Sequence, residues 1–291
     1  MITRFAPAKV NLYLHVTGRR SDGYHLLDSL VVFADDIGDV VHIEPAPYLQ
    51  FRVTGSQAGA LRDCRDVDNL VLRAARPMAA ATGRELACAI TLEKHLPPAS
   101  GIGGGSSDAA ATMLALAQFW DVLPETLPLP EIARTLGQDV VSCLYRQTCY
   151  FQGIGDAVTP APALPACGIV LANPGIHVPT PTVFKQRQGE FSVAAPLSPI
   201  PTTLAELTLQ LRARRNDLYG PALALAPVIG DCLQAVQTLP GSAFAAMSGS
   251  GATCFGLFVD GAAADTAAAN LRRQQPVWWV AAGTLPYVEQ G

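Results

Sequence analysis

Apolar and polar positions alternate strictly near the start of the chain. Residues 9–16 read KVNLYLHV, which puts apolar side chains on one face of a strand and polar ones on the other. The polar face carries Lys9 and Asn11 two residues apart. Two more apolar runs, 26–33 and 39–43, follow before any helical pattern. Three successive strands predict an α+β fold with antiparallel pairing.

The rest of the first half changes between helical and strand periodicity. Ser107 or Asp108 is expected to cap the helix that follows a glycine-rich stretch. The patterns predict, in chain order, a helix over 69–81 interrupted near Pro77, a strand over 86–92, the helix after 108, and a short helix over 130–136 stopped by Gly137.

The second half begins with a stretch rich in proline and glycine, residues 155–202, early in which we place a domain junction. This stretch contains one clear strand, Gly168–Ala172. The later patterns indicate a βαββαβ-like order, with helices near 203–215 and 222–238, strands around 243–247 and 253–259, a helix over 264–274 and a strand over 277–282.

Composition and charge exclude several classes of protein. The 291 residues are 49% hydrophobic and 15% charged, which is typical of a globular chain long enough for two domains. A formal charge of −4 without basic clusters argues against nucleic acid or anionic lipid as a partner. Seven cysteines without a C-x-x-C pair indicate reduced thiols, as in a cytoplasmic protein. The uncharged stretch 157–184 contains six prolines, so we expect no membrane span.

The strongest chemical signal is the glycine-rich segment Gly101–Ser107. Successive glycines let backbone N–H groups converge on an anion, and the following helix adds the positive end of its dipole. The hydroxyls of Ser106 and Ser107 can bind phosphate or Mg²⁺. The Walker A and dinucleotide-binding patterns do not fit, because no lysine precedes the serines and position 106 is not glycine. The alternative is a flexible turn that binds nothing.

Other candidates have a structural alternative as well. Lys9 can cover an apolar strand edge instead of meeting a ligand, and Asp139 can simply cap a helix. The second glycine run, Ser248–Gly251, lacks the G-x-S-x-G pattern of a hydrolase and can be an ordinary turn between two strands.

Two segments present aromatic side chains. Tyr24 and His25 follow a turn at 18–23, and Phe184 lies in the stiff Pro-x-Pro segment 179–185. These segments are either a hairpin turn and a linker, or the two sides of a platform for a flat ligand.

The motifs together resemble those of the GHMP kinases. Residues 97–110 (PPASGIGGGSSDAA) are similar to the phosphate loop of that family, residues 6–12 (APAKVNL) to its first motif and residues 247–252 (MSGSGA) to its third. The segments 22–25 and 179–185 resemble the branch that phosphorylates 4-diphosphocytidyl-2-C-methyl-D-erythritol.

The resemblance implies a two-domain GHMP kinase fold. The implied ATP-binding domain, 1–158, is similar to ribosomal protein S5 domain 2, and the implied substrate-binding domain, 159–291, is ferredoxin-like. The implied activity is ATP-dependent phosphorylation of the 2-hydroxyl of that CDP-linked polyol, with ATP and Mg²⁺, in the non-mevalonate route to isopentenyl diphosphate. We expect small-molecule partners, no nucleic acid or membrane contact, and a monomer or weak homodimer.

The resemblance also implies site residues. Lys9 and Asp139 match the catalytic pair, and Ser107 is the candidate protein ligand of Mg²⁺. Tyr24 and Phe184 match the rings that stack on cytosine, and His25 the group that bonds its edge. The remaining matches are Asn11, Thr180 and the turn at 248–251 beside the substrate, and the ATP phosphate loop of Pro97, Pro98, Ala99, Ser100, Gly101, Ile102, Gly103, Gly104, Gly105, Ser106 and Ser107.

One family motif is incomplete in this chain, and two places are candidates for binding adenine. Family members commonly read G-A-D-V-P, whereas residues 137–141 here read GQDVV and lack the proline. Lys94 and residues 66–70 are candidates for the adenine site.

Three other interpretations stay open from the sequence alone. Another GHMP kinase, such as a homoserine or mevalonate kinase, gives no reason for Tyr24, His25 and Phe184. A non-catalytic nucleotide-binding protein needs neither Lys9 nor Asp139. A module that binds single-stranded nucleic acid is disfavoured by the negative charge.

Overall fold

The computed structural model describes residues 1–62, 64–65, 68–155 and 157–285. Its contacts divide the chain into two units, and both β1 and β2 contribute residues to each of them. Unit 1 consists of residues 1–8, 38–98 and 103–146, and unit 2 of residues 9–37, 99–102 and 147–291. These units do not follow the predicted boundary between residues 158 and 159, which stays a prediction. Residues 286–291 of the predicted second domain lie outside the described part of the chain.

The described residues form strands and helices in a mixed order. The strands are β1 (Ile2–Arg19), β2 (His25–Pro45), β3 (Gln50–Thr54), β4 (Cys88–Glu93), β5 (Cys149–Gly153), β6 (Ala157–Pro160), β7 (Cys167–Asn173), β8 (Phe244–Met247), β9 (Cys254–Phe258) and β10 (Trp279–Leu285). The α-helices are α1 (Leu70–Thr82), α2 (Gly104–Phe119), α3 (Leu129–Leu136), α4 (Gln138–Tyr145), α5 (Thr180–Gln186), α6 (Leu204–Arg212), α7 (Tyr219–Leu225), α8 (Val228–Gln237) and α9 (Gly261–Gln274).

Unit 1 packs four helices together with part of a sheet. Residues 40–45 of β2 pair antiparallel with β4, and β4 pairs parallel with β3. Helix α2 packs against α1 and α4, and α3 packs against α4. Alanine dominates the buried positions of α2, so neighbouring backbones can approach this helix closely. The helix that begins in the predicted phosphate loop is therefore firmly embedded in unit 1.

Unit 2 contains a second, fully antiparallel sheet in the order β10–β7–β9–β8. Helices α8 and α9 pack on this sheet and share one apolar core with it, which includes Val170, Ile229, Val236 and Leu271. The order β7–α8–β8–β9–α9–β10 is the predicted βαββαβ arrangement, as in ferredoxin-like folds. In the same unit, residues 27–31 of β2 pair with β5, and β5 pairs with β6.

The prediction of separate strands over 26–33 and 39–43 is wrong, because β2 runs unbroken through both runs. A Cβ atom at Gly38 would lie only 2.4 Å from the carbonyl oxygen of Ala6. Glycine at this position therefore lets the backbone of β1 come close, and it does not mark a turn.

Three predictions about helices are wrong at or near a proline. Helix α1 continues through Pro77, since five buried side chains on one face offset the backbone hydrogen bond that proline lacks. The single helix predicted over 222–238 is instead two, α7 and α8, which are separated at Pro227. Helix α5 was not predicted at all, although Pro181 stands in its first turn, where a missing N–H costs nothing.

The described helices give no support to a membrane span. None of them combines the length and the apolar character that crossing a bilayer requires.

Candidate active site

Backbone hydrogen bonds in unit 2 bring three of the predicted motifs together. The N–H of Lys9 in β1 donates to the carbonyl of Ile102 over 2.9 Å. The N–H of Thr253, just after the second glycine run, donates to the carbonyl of Ser100 over 3.1 Å. Residues 99–102 of the phosphate loop are thus held between β1 and the turn at 248–251.

Ser248 reinforces this junction through its side chain. The residue is fully buried, and its Oγ donates to the carbonyl of Gly101 over 2.9 Å. The same Oγ accepts the N–H of Asn11 over 3.1 Å. Ser248 therefore serves the backbone of the other two motifs, and neither a nucleophile nor a substrate contact is needed to explain it.

Glycines in both segments allow their backbones to touch. A Cβ atom at Gly101, where φ is +79°, would lie 2.6 Å from the carbonyl oxygen of Ser248 and 2.8 Å from that of Gly251. A Cβ atom at Gly249, where φ is +55°, would lie 2.8 Å from the carbonyl oxygen of Gly101. No other residue can occupy these positions without displacing backbone.

Lys9 and Asn11 project from the polar face of β1, as the alternating pattern predicts. Lys9 is 3% exposed, and its Nζ lies 5.4 Å from the centre of the Phe151 ring, within the range of a cation–π contact. Nδ2 of Asn11 donates to Oγ of Ser29 over 2.7 Å. Within the described chain, Oδ1 of Asn11 is buried without a hydrogen-bond donor. Because buried acceptors are normally satisfied, this oxygen is suited to a substrate hydroxyl.

The segment that carries Tyr24 is a tight turn, as predicted. The N–H of Arg20 donates to the carbonyl of Tyr24 over 2.8 Å, and Asp22 accepts the N–H of Tyr24. The side chain of Tyr24 is 57% exposed, so its ring face is accessible.

Of the three ring-bearing residues predicted to bind the base, His25 and Phe184 pack against each other. Their centroids are 5.1 Å apart with an angle of 27° between the planes. Burial lowers the pKa of His25, and the nearby Arg19 and Arg187 lower it further. The imidazole is therefore neutral at neutral pH and can both donate and accept a hydrogen bond.

Thr180 connects α5 to the second glycine run. Its Oγ1 lies 2.7 Å from Oγ of Ser250 in the turn at 248–251. Thr180 and the turn are thus neighbours within unit 2, although Thr180 and Ser250 are 70 positions apart in the sequence.

The phosphate-loop residues of unit 1 begin α2 earlier than predicted. The helix begins at Gly104 after Gly103 in the left-handed region, so neither Ser107 nor Asp108 is its cap, and both are buried inside it. The N–H groups of the first turn have no acceptor within a helix and point out of its end. Ser106 is the more exposed of the two serines, whereas Ser107 is 2% exposed.

Asp139 lies in the first turn of α4, which begins after Gly137. A carboxylate there interacts favourably with the helix dipole, and the residue is half-buried. Val141, which stands where the family has proline, is buried within the helix. The pairing of Asp139 with Lys9 stays a prediction.

A cavity of about 340 Å³ in unit 1 is a candidate for the adenine base. Asn69, from the predicted region 66–70, lines it and also caps α1 by accepting the N–H of Val71. Residues 66 and 67 lie outside the described part of the chain. The remaining lining is mostly apolar: Phe51, Val53, Ala58, Gly59, Leu61, Arg62 and Cys64.

The donor set fits a magnesium ion that arrives with the nucleotide. The described residues contain no group of three His, Cys, Asp or Glu side chains able to hold a metal. Mg²⁺ commonly takes one or two protein oxygens and completes its shell with substrate phosphates and water. The serine hydroxyls at the start of α2 could supply such an oxygen.

Comparison with known proteins agrees with these motifs. The models for the GHMP kinases N terminal domain and the GHMP kinases C terminal match residues 69–147 and 205–277. The 4-diphosphocytidyl-2-C-methyl-D-erythritol kinase of Ruegeria pomeroyi is 52% identical over 289 residues, which cover 98% of this chain and 99% of that protein. The same enzyme of Paramagnetospirillum magneticum is 48% identical over 280 residues, 96% and 97% of the two chains. This chain belongs to the 4-diphosphocytidyl-2-C-methyl-D-erythritol kinase family.

Solved structures place this kinase family within a wider fold. A crystal structure of 4-(cytidine 5'-diphospho)-2C-methyl-D-erythritol kinase matches with a TM-score of 0.78 at 35% identity, over 98% of this chain and 100% of that one. A homoserine kinase from Cytophaga hutchinsonii matches with a TM-score of 0.71 at 18% identity, over 100% of this chain and 96% of that one, and shows the shared fold alone. The predicted GHMP kinase fold is confirmed.

Sequence reasoning missed two residues of this family member: Asn216, which holds the second glycine run, and Asp217, which holds β1. Nδ2 of Asn216 donates to the carbonyls of Met247 and Gly249, each over 2.8 Å. Asp217 accepts the N–H of Val16 in β1 over 2.7 Å. They follow α6 in an unremarkable polar stretch, and only the fold brings them to β1 and the turn.

Replacing Gly101 by alanine tests the backbone contact in unit 2. Gly175 is the matched control, because it has the same φ of +79° and nothing within 4 Å of an added Cβ. The left-handed backbone alone costs about 1–2 kcal/mol for a residue with a side chain. We expect Gly175→Ala to lose about that much unfolding free energy in urea denaturation, and Gly101→Ala to lose more. Equal losses would contradict the contact.

Proposed function

We propose that this chain transfers the γ-phosphoryl group of ATP to the 2-hydroxyl of 4-diphosphocytidyl-2-C-methyl-D-erythritol, giving the 2-phosphate and ADP. The observation that carries the proposal is family membership at about 50% identity over nearly the whole chain. The convergence of β1, the phosphate loop and the second glycine run in unit 2 supports it. The product belongs to the non-mevalonate route to isopentenyl diphosphate.

The phosphate loop supplies positioning and charge stabilisation. Phosphoryl transfer requires little covalent chemistry from the protein, so these two contributions make up most of catalysis. The N–H groups at the start of α2 and the positive end of its dipole would hold the phosphates of ATP. Bound Mg²⁺ would neutralise charge on the β- and γ-phosphates, with Ser106 and Ser107 as the nearby hydroxyls.

Lys9 and Asp139 are proposed as the catalytic residues. The ammonium of Lys9 would favour ionisation of the accepting hydroxyl and stabilise charge in the transition state. Its burial supports this role, because the interaction of charges is stronger away from water. The carboxylate of Asp139 would accept a hydrogen bond from that hydroxyl, orient it, and receive its proton as the new O–P bond forms, while the ammonium of Lys9 keeps its protons.

The acceptor is proposed to bind through its cytosine and its polyol. Tyr24 and Phe184 would offer ring faces to the base, and neutral His25 would bond its edge. The unused Oδ1 of Asn11 and the hydroxyl of Thr180 would meet the polyol. The adenine of ATP would occupy the cavity beside Asn69.

A panel of acceptors tests the proposed activity. We expect ADP release with 4-diphosphocytidyl-2-C-methyl-D-erythritol, and phosphorus NMR should place the new phosphate on the 2-oxygen. Homoserine and mevalonate should give no turnover above the ATPase background. Turnover of either one without turnover of the CDP-linked polyol would overturn the assignment.

Lys9→Ala and Asp139→Ala test the catalytic pair. We expect kcat to fall by about 10²-fold or more in each variant, since each substitution removes a group that acts in the transition state. Calorimetry should find ATP affinity nearly unchanged. Asp139→Asn keeps an orienting oxygen without the base, so its residual rate measures the two contributions. The control is Lys185→Ala, at an exposed lysine to which we assign no role; unaltered kcat in both Ala variants would contradict the assignment.

Tyr24→Ala and Phe184→Leu test the base platform. Stacking contributes about 1–3 kcal/mol per base, so KM for the acceptor should rise about 10- to 100-fold. KM for ATP should stay the same. Tyr48→Ala is the matched control, because Tyr48 is 66% exposed and carries no proposed contact. An unchanged acceptor KM in both test variants argues against stacking.

A further inference from the structure

A buried cluster of three ionisable side chains lies beneath the start of α2 in unit 1. Nζ of Lys94 donates to Oδ2 of Asp39 over 2.5 Å and to Oδ2 of Asp108 over 2.7 Å. The three residues are at most 2% exposed. The proposed mechanism uses none of them, and two of the three N–H bonds of the ammonium are already committed to carboxylates.

Each member of the cluster belongs to a different element. Asp39 stands in β2, Lys94 directly follows β4, and Asp108 is the fifth residue of α2. Oδ1 of Asp39 also accepts the N–H groups of His95 and Leu96, over 2.5 and 2.8 Å. The carboxylate therefore holds the segment that leads into the phosphate loop, and Lys94 links it to the helix that leaves the loop.

The cluster also reaches a loop glycine. A Cβ atom at Gly104, the first residue of α2, would lie 3.1 Å from Nζ of Lys94. Glycine at this position leaves the space in which the ammonium sits. The start of α2 is thus packed directly on the buried charge.

The charges of the cluster are mutually dependent. Burial alone would lower the pKa of Lys94, but the two carboxylates outweigh it and raise that pKa, so the side chain stays cationic. Burial raises the pKa of Asp108 to about 8, against the opposing effect of Lys94. Removing one partner of such a cluster leaves an uncompensated buried charge, which the surrounding backbone must rearrange to accommodate.

We propose that Lys94, Asp39 and Asp108 are positioning residues that set the place of the α2 N-terminus, and so of its phosphate-binding N–H groups, against β2 and β4. This inference rests on the proposed function. It assigns no contact with the nucleotide to any of the three, since all act through the backbone of 94–96 and 104–108.

A double-mutant cycle with a binding readout tests the cluster. Lys94→Met and Asp39→Asn should each weaken calorimetric affinity for ADP about 10- to 100-fold, because misplacing such groups by about 1 Å has effects of that size. The double variant should lose little more than either single one, since both break the same linkage. Ile43→Ala is the control: it removes buried volume from β2 in the same unit and should lower the melting temperature with ADP affinity within about twofold.

A milder pair of variants covers the case in which Lys94→Met does not fold. Asp108→Ala removes the link to α2 and should weaken ADP binding, whereas Asp108→Asn keeps an oxygen toward Lys94 and should restore it. The inference is overturned if Asp108→Ala binds ADP as the wild type does, or if Ile43→Ala weakens binding as much as the cluster variants. It is also overturned if Lys94→Met weakens binding while Asp39→Asn does not, since that pattern indicates direct contact of Lys94 with phosphate.

The binding readout separates this inference from the proposed function. ADP affinity does not depend on which alcohol accepts the phosphoryl group. A wild-type chain that binds ADP but ignores the CDP-linked polyol would contradict the proposed function, and the cycle would still decide the role of the cluster.

Discussion

The candidate site depends on a contact between two stretches of backbone in unit 2. Residues 100–102 meet the turn at 248–251 so closely that a single Cβ atom at Gly101 would displace carbonyl oxygens. Backbone hydrogen bonds and the buried hydroxyl of Ser248 secure the contact. Because main chain meets main chain, the geometry does not depend on flexible side chains, and the third motif of the family acts as a support for the second.

Local sequence patterns predict much of the fold, and they fail where a contact with a distant residue determines the local structure. Strict alternation correctly predicted the polar face of β1, and the βαββαβ order of the second half followed from periodicity alone. The local pattern predicts separate strands over 26–33 and 39–43, and an interruption of the helix near Pro77, because glycine and proline each disrupt regular structure in isolation. In the structure, the absence of a side chain at Gly38 lets the backbone at Ala6 pack closely against it. The buried side chains of α1 stabilise the helix despite Pro77. Neither partner can be inferred from the neighbouring sequence.

Some residues of the candidate site could be predicted from the sequence, and others could be found only from the structure. The glycine run, Lys9 and Asn11 could be singled out because their residue types and spacing carry chemistry directly. Asn216 and Asp39 could not, since an amide or a carboxylate in a short polar stretch carries no signal of the carbonyls or amides that it will meet. The predicted cap at Ser107 or Asp108 failed for a related reason: Gly103 in the left-handed region starts α2 earlier and leaves both residues inside.

The structure gives a physical reason for lysine at one of the few positions where this chain has it. Seventeen arginines accompany only Lys9, Lys94 and Lys185, and the first two of these lysines are nearly fully buried. A guanidinium is a wide planar group with five donors in fixed directions, whereas an ammonium is a compact charge that can donate from one small centre to groups on separate elements. Lys94 does this between β2 and α2, with the backbone of Gly104 beside it. The narrow space beside Gly104 therefore suits a compact cation, whatever favoured arginine over the rest of the chain.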